Sequence, residues 1–263
     1  MAQGVPPPLS VQTSSLSAAA VAGEAARALR VVLTGASSGI GRATAVALAA
    51  QGHRLTLVSR NLDTLRETER FFASGAVTPR LVSADLRRVE GLAELMEDTH
   101  RAMGGLDVLI NCAGMALSKA LIETTDAEIL ELMTVNALAP AALMRGAFAV
   151  WKREQGGAAR VVINVCSMAA IDPYPGFHGY AASKAALASL SLTASREGEA
   201  MGVRVFCLCP GDVDTPMRDA VRAANRSLPE CEAMSAERVA ARIVACLEPG
   251  ADSMGGRAIA VLA

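Results

Sequence analysis

The sequence predicts an α/β fold: a single doubly wound domain of about seven parallel strands with helices on both faces. Three observations carry that expectation: short β-branched apolar runs, helix-length periodic segments between them, and a glycine-rich turn directly after the first run. Strand and helix patterns that alternate in this way belong to parallel sheets built from crossover units. Runs that are apolar throughout suit strands covered on both faces.

In chain order the expected strands are "RVVLT" (30–34), "RLTLVS" (54–59), "RLVSA" (80–84), "DVLINCA" (107–113), "RVVINVCS" (160–167), "RVFCLCP" (204–210) and "RAIAVLA" (257–263). Between the first four lie "GRATAVALAAQG" (41–52), "NLDTLRETERFFASG" (61–75) and "VEGLAELMEDTHRAMG" (89–104), each with apolar residues at helical spacing and a closing glycine. No internal repeat or second domain is evident, so residues 30–263 are read as one unit. Residues 1–29 differ: they are rich in Ser, Ala and Pro, with Glu24 as their only acid. They lack the charged start and long apolar centre of a secretory signal and read as a flexible extension. A cytoplasmic location is expected, with organellar targeting by this extension as the alternative.

The formal net charge of −1 offers no basic surplus to neutralise phosphates, which argues against a nucleic-acid partner. No stretch approaches the roughly 20 apolar residues of a bilayer span, so no transmembrane segment is expected. Cys112, Cys166, Cys207, Cys209, Cys231 and Cys246 are spread along the chain, four of them in or beside strand-like runs. They read as reduced packing residues. Cys207 and Cys209 form CxC rather than CxxC, and His53, His100 and His178 stand alone, so no metal site is expected.

In such sheets ligands bind beyond the carboxyl ends of the strands. "TGASSGIG" (Thr34–Gly41) follows the first strand and opens the first helix. Gly35 permits a tight turn, Gly39 a close backbone approach, and Gly41 close helix–strand packing. The helix start then presents free N–H groups and a positive dipole end to a pyrophosphate. The spacing is GxxxGxG, so a purely structural turn is the competing reading. The second strand ends in Ser59 and Arg60 with no acid until Asp63. A planar guanidinium there suits a 2′-phosphate, which favours NADP(H) over NAD(H). Asp85, after the third strand, suits either the adenine amino group or a helix cap.

"GYAASKAALASL" (179–190) sets Tyr180 and Lys184 one helical turn apart in a chain with two tyrosines. A phenol ordinarily ionises near pH 10 and exchanges protons slowly at neutrality, and a neighbouring ammonium favours its phenolate. Ser167 stands just after the fifth strand, thirteen residues before Tyr180. Its hydroxyl suits a substrate carbonyl held beside that phenol.

Together, "TGASSGIG", "NCAG" (111–114), "VN" ending at Asn136, Ser167, "YAASK" and "PGDVDT" (210–215) resemble the short-chain dehydrogenases/reductases in order and spacing. The resemblance implies a Rossmann-type domain and an oxidoreductase using NADP(H) on a small-molecule ketone or alcohol. It implies a catalytic set in which Asn136 holds a relay water through a helix kink, Ser167 orients the carbonyl, Tyr180 is the general acid/base, and Lys184 supports Tyr180 and the ribose. Cofactor contacts are expected at Gly35, Ser37, Ser38, Gly39, Ile40, Gly41, Ser59, Arg60, Asp85, Leu86, Asn111, Ala113, Gly114, Tyr180, Lys184, Pro210, Gly211, Val213 and Thr215. A homodimer or homotetramer is implied, packed through long helices around 125–153 and 178–200, whose alanines equally suit a monomer core.

The substrate pocket is expected from 168–177, offering Met168, Tyr174 and Phe177, and from a lid after Thr215. Within the family, "LVSRN", "NCAGMALS", "ELMTVNALAP", "GFHGYAASK" and "DVDTP" resemble 3-ketodihydrosphingosine reductases, which implies a long-chain keto lipid; a 3-oxoacyl-type substrate is the broader expectation. A catalytically idle dinucleotide sensor on the same fold is the alternative, and it has no need of the phenol.

Overall fold

The computed structural model describes residues 27–154, 160–228, 231–248, 250–251 and 258–262. The expected extension therefore lies almost wholly outside the described residues. Seven strands form one sheet: β1 (Arg30–Thr34), β2 (Arg54–Ser59), β3 (Arg80–Ser83), β4 (Val108–Asn111), β5 (Arg160–Val165), β6 (Val203–Pro210) and β7 (Ala258–Val261). Their order is β3-β2-β1-β4-β5-β6-β7, every pairing parallel. All seven expected runs contribute a strand. The order reverses between β1 and β4, the place where a ligand crevice opens in doubly wound sheets.

Period-two alternation sends neighbouring strand residues to opposite faces. Val31 and Leu33 join Leu48 of α1 (Gly39–Ala50), Leu65 of α2 (Leu62–Glu69) and Val239 of α8 (Ala236–Ala245). Val32, Leu109 and Val162 face α3 (Leu92–Met103) and α5 (Ala139–Arg153) on the other side. Gly146 brings α5 against α3, since a methyl group there would lie 2.6 Å from the Ala93 carbonyl oxygen. In the same layer Trp151 is fully buried and its indole N–H donates to the Leu106 carbonyl at 2.7 Å. Below the sheet, away from the crevice, buried Asp107 accepts from the Arg30 guanidinium at 2.7 and 2.8 Å and from the Arg30 backbone at 2.8 Å. Burial opposes the charge of Asp107, but the bonds and charge of Arg30 prevail and hold its carboxyl below the ordinary range.

Helix boundaries follow local signals. Asn61 accepts from the Asp63 N–H at 2.7 Å and starts α2, which ends at Glu69, short of the expected 61–75 segment. Gly104, at φ 67°, stops α3 in the left-handed region. Thr125 and Glu128 form a reciprocal capping box at the start of α4 (Asp126–Met133). From there one 28-residue run, Asp126–Arg153, continues through a π-helical turn at Thr134–Leu138 into α5. By length and composition alone this run suffices to cross a bilayer, contrary to the sequence expectation. A core helix meets the same test, and here the α5 portion contributes Ala142, Leu143, Ala147, Val150 and Trp151 to the packed layer against α3. The helix carrying Tyr180 is α6 (His178–Gly198), and α7 (Pro216–Ala224) follows β6.

Candidate active site

Two adjoining clefts open at the strand carboxyl ends. The larger, about 580 Å³, is lined by Gly35, Ser37, Ser38, Gly39, Ile40, Gly41, Ser59, Arg60, Asp85, Leu86, Ala113, Gly114 and Thr215 among others. The second, about 290 Å³, is lined by Ser167, Tyr180, Lys184, Pro210, Gly211, Val213 and Thr215, with Tyr174 and Phe177. Ile40, Cys112, Gly114, Thr215 and Met217 line both, so the clefts are continuous.

The first cleft is made chiefly by backbone. Gly35 has φ 71°, and a methyl group there would lie 2.7 Å from the Ala113 backbone. This pins the turn after β1 against the segment after β4. The Thr34 hydroxyl accepts from the N–H groups of Cys112 and Ala113, each at 3.2 Å, and joins the same two segments. A methyl group at Gly41 would collide with the Gly35 carbonyl, so the helix start can sit on the turn only without a side chain. Ser38 occupies the N-cap of α1 but accepts no capping bond, and the first turn of α1 carries no acid. Those open N–H groups and the unopposed dipole suit an anion. Arg60, exposed at the end of β2, forms no ion pair among the described residues. These features fit the phosphates of a nicotinamide dinucleotide.

Three expected contacts differ in detail. Asp85 accepts from the Arg87 guanidinium at 2.9–3.1 Å and from the Arg87 backbone N–H at 3.1 Å. Those bonds hold its carboxyl below the ordinary range, and Asp85 braces a turn rather than capping a helix, since α3 starts only at Leu92 with Gly91 as its N-cap. Ser59 is likewise occupied, donating to the Asn61 carbonyl at 2.9 Å. Asn111 lines neither cleft: it is buried and donates to Asn164 at 2.8 Å, its register partner on β5. Asn164 in turn donates to Ser191 on α6 at 2.8 Å. Asn111 is thus a strut that ties β4 through β5 to the helix bearing Tyr180.

The second cleft is built from side chains. Tyr180 presents a hydroxyl with no hydrogen-bond partner among the described residues, and its ring packs edge-on against Phe177, centroids 6.1 Å apart. The buried Lys184 Nζ lies 5.8 Å from the Tyr180 ring centroid and donates to the Val165 carbonyl at 2.9 Å. An ammonium has three donors, so two remain toward the cleft. Gly114 keeps that space clear, since a methyl group there would stand 3.4 Å from Nζ. Ser167, extended at φ −167°, accepts from the Ala169 N–H at 3.1 Å, and its hydroxyl proton remains available. Cys112 also lines both clefts, but burial pushes its thiol up to about 12, so it stays protonated and non-nucleophilic.

Asn136 is fully buried in the π-helical turn and lines neither cleft. Its Oδ1 accepts from the Met115 N–H at 2.9 Å, and its Nδ2 donates to the Met115 carbonyl and to Ser183, both at 2.9 Å. Both of its side-chain amide hydrogens are therefore engaged. Ser183, Asn164 and Met115 were not singled out from sequence; Asn164, a polar residue inside the apolar run "RVVINV", was the readable signal. Met168, expected in the substrate wall, turns instead toward Cys166, Cys207 and Cys209.

The short chain dehydrogenase family profile matches residues 30–226. An uncharacterized oxidoreductase of Staphylococcus saprophyticus is 34% identical over 197 residues, covering 71% of this chain and 79% of the relative. A glucose 1-dehydrogenase of Gluconobacter oxydans is 31% identical, covering 72% and 70%. Among solved structures, an alcohol dehydrogenase of Thermococcus sibiricus complexed with 5-hydroxy-NADP aligns with TM-score 0.75 and 26% identity over 90% of this chain and 96% of that one. The fold and the matched family define a nicotinamide-linked oxidoreductase. This chain belongs to the short-chain dehydrogenases.

Proposed function

We propose that the protein is an NADP(H)-dependent carbonyl reductase, or in reverse a secondary-alcohol dehydrogenase, with Tyr180 as its proton donor. The observation that carries this reading is the unpartnered Tyr180 phenol, set in one cleft with Ser167 and Lys184 and opening onto the anion-binding turn. A nicotinamide dinucleotide held there supplies the hydride. Ser167 donates to the carbonyl oxygen and orients it, and Tyr180 delivers a proton to that oxygen as it becomes an alkoxide. The Lys184 ammonium favours the phenolate left behind, and its spare donors suit ribose hydroxyls. Proton resupply runs from a water at the π-turn of Asn136 by way of Lys184 to the Tyr180 phenolate. Arg60 and the acid-free start of α1 support the phosphorylated cofactor.

Tyr174, Phe177, Val221 and Leu228 give the second cleft an apolar wall that supports an aliphatic keto substrate, of 3-oxoacyl or long-chain keto-lipid type. Exposed Leu130 and Leu138 on the α4–α5 run support a homo-oligomer built on that face. NADPH consumption over a graded panel of ketones tests the reading. Turnover that survives Tyr180→Phe undiminished removes Tyr180 from the mechanism, and binding of NADPH without turnover on any ketone points to an idle sensor.

A further inference from the structure

Cys166, Cys207 and Cys209 bring their three sulfur atoms within 4.8 Å of one another, all buried. Cys207 and Cys209 project from the same face of β6, and the residue after β5 inserts between them, with the Cys166 N–H donating to the Leu208 carbonyl at 2.6 Å. Ala188 closes the cluster from α6, and Met168, Ala170 and Ile171 pack around it. No carboxylate or imidazole joins the group among the described residues. Cys166 alone also lines the catalytic cleft, which gives the cluster an outlet beside Ser167, Tyr180 and Lys184.

We propose that these three thiols form a binding site for one trivalent thiophilic centre, arsenic(III) or its congener antimony(III), and that its occupation shuts down the adjoining active site. Charge selects the ion. Three thiolates around copper(I) leave two net negative charges in an apolar site, and around zinc(II) they leave one. Around arsenic(III) the complex is neutral, and burying an uncompensated charge is what such a site resists. Arsenous acid itself enters neutral. Each of its three As–O bonds is replaced by an As–S bond, and each thiol proton leaves on the departing hydroxyl as water, with no change of oxidation state. Cys166 gives up its S–H bond to the Lys184 carbonyl, 3.1 Å away, when it ligates.

Closing three sulfurs around one centre pulls Cys166, and with it Ser167, toward β6. Shifts of about 1 Å at a reacting group cost on the order of 100-fold in rate.

The test uses the full chain with arsenite and, separately, cadmium(II), read by native mass spectrometry and by turnover. One arsenic is expected per chain with loss of three protons, a fall in turnover of at least about tenfold, and recovery with a competing small dithiol. Cys209→Ala leaves two thiols, and its arsenite affinity is expected to drop by about 100-fold as the third intramolecular ligation is lost; Cys207→Ala repeats the test from the same strand. Failure of wild type to take arsenic, or an unchanged adduct in both variants, overturns the site. Cadmium bound to the same thiols more tightly than arsenic overturns the charge argument. The mass readout needs no reductase activity, so it stands or falls separately from the proposed function.

Discussion

The two clefts sit side by side and are built by opposite means. The dinucleotide cleft is organised around main chain: glycines at 35, 39 and 41 and the helix N–H groups set its turn, and polar and apolar side chains line its outer wall. The catalytic cleft is shaped by side chains that other side chains hold in place, through Asn111–Asn164–Ser191 and through Asn136–Ser183. A backbone site tolerates few substitutions anywhere and recognises what is common to all dinucleotides. A side-chain site loses its chemistry with one atom yet keeps its shape.

Removing a single oxygen should separate the two most sharply. Tyr180→Phe is expected to lower kcat by about 1,000-fold, with NADPH affinity by fluorescence titration unchanged; a parallel loss of affinity would mean that the clefts are not independent. Arg60 is the exception in the backbone-built cleft. Arg60→Asp should weaken NADPH binding by about 100-fold and favour NADH, and equal NADPH affinity in the variant would remove the 2′-phosphate assignment. Gly114→Ala presses on the seam between the clefts, 3.2 Å from Asn136 Oδ1. It is expected to reduce kcat and cofactor affinity together by about tenfold, as for overpacking of 1–3 kcal/mol.

Outside both clefts the expected effect is on stability alone. Asp107→Asn should cost about 2 kcal/mol through loss of charged hydrogen bonds, or roughly 4–8 °C in Tm. Because the folded carboxyl lies below its unfolded value, this contribution is present above the unfolded pKa and is lost as pH falls through the folded one. Melting curves of wild type and variant should therefore converge in acid, and a gap that persists at low pH would assign the effect to packing.

The same contrast explains what could be read from the sequence. Glycines and uniformly apolar strands announce backbone geometry directly, so the sheet, its seven strands and the glycine turn of the first cleft were legible. Tyr180, Lys184 and Ser167 were legible because their spacing carries chemistry. The struts were not: that Asn111 turns inward, that Asp85 is held by Arg87, and that Met168 faces the thiols depend on strand register and side-chain rotamers. Nor does a CxC spacing reveal a third thiol, because Cys166 arrives from the neighbouring strand, more than forty residues earlier in the chain.

Trp151 is the single indole of the whole chain, wholly buried between helix and sheet with its N–H satisfied, and it lines neither cleft. The protein thus carries one indole fluorophore, which excitation at the red edge of protein absorbance selects over its two tyrosines, and its emission wavelength reports the integrity of the rear layer. A blue emission that survives a substitution near Tyr180 certifies an intact scaffold, and a red shift marks collapse of the α3–α5 layer before any enzymology is attempted.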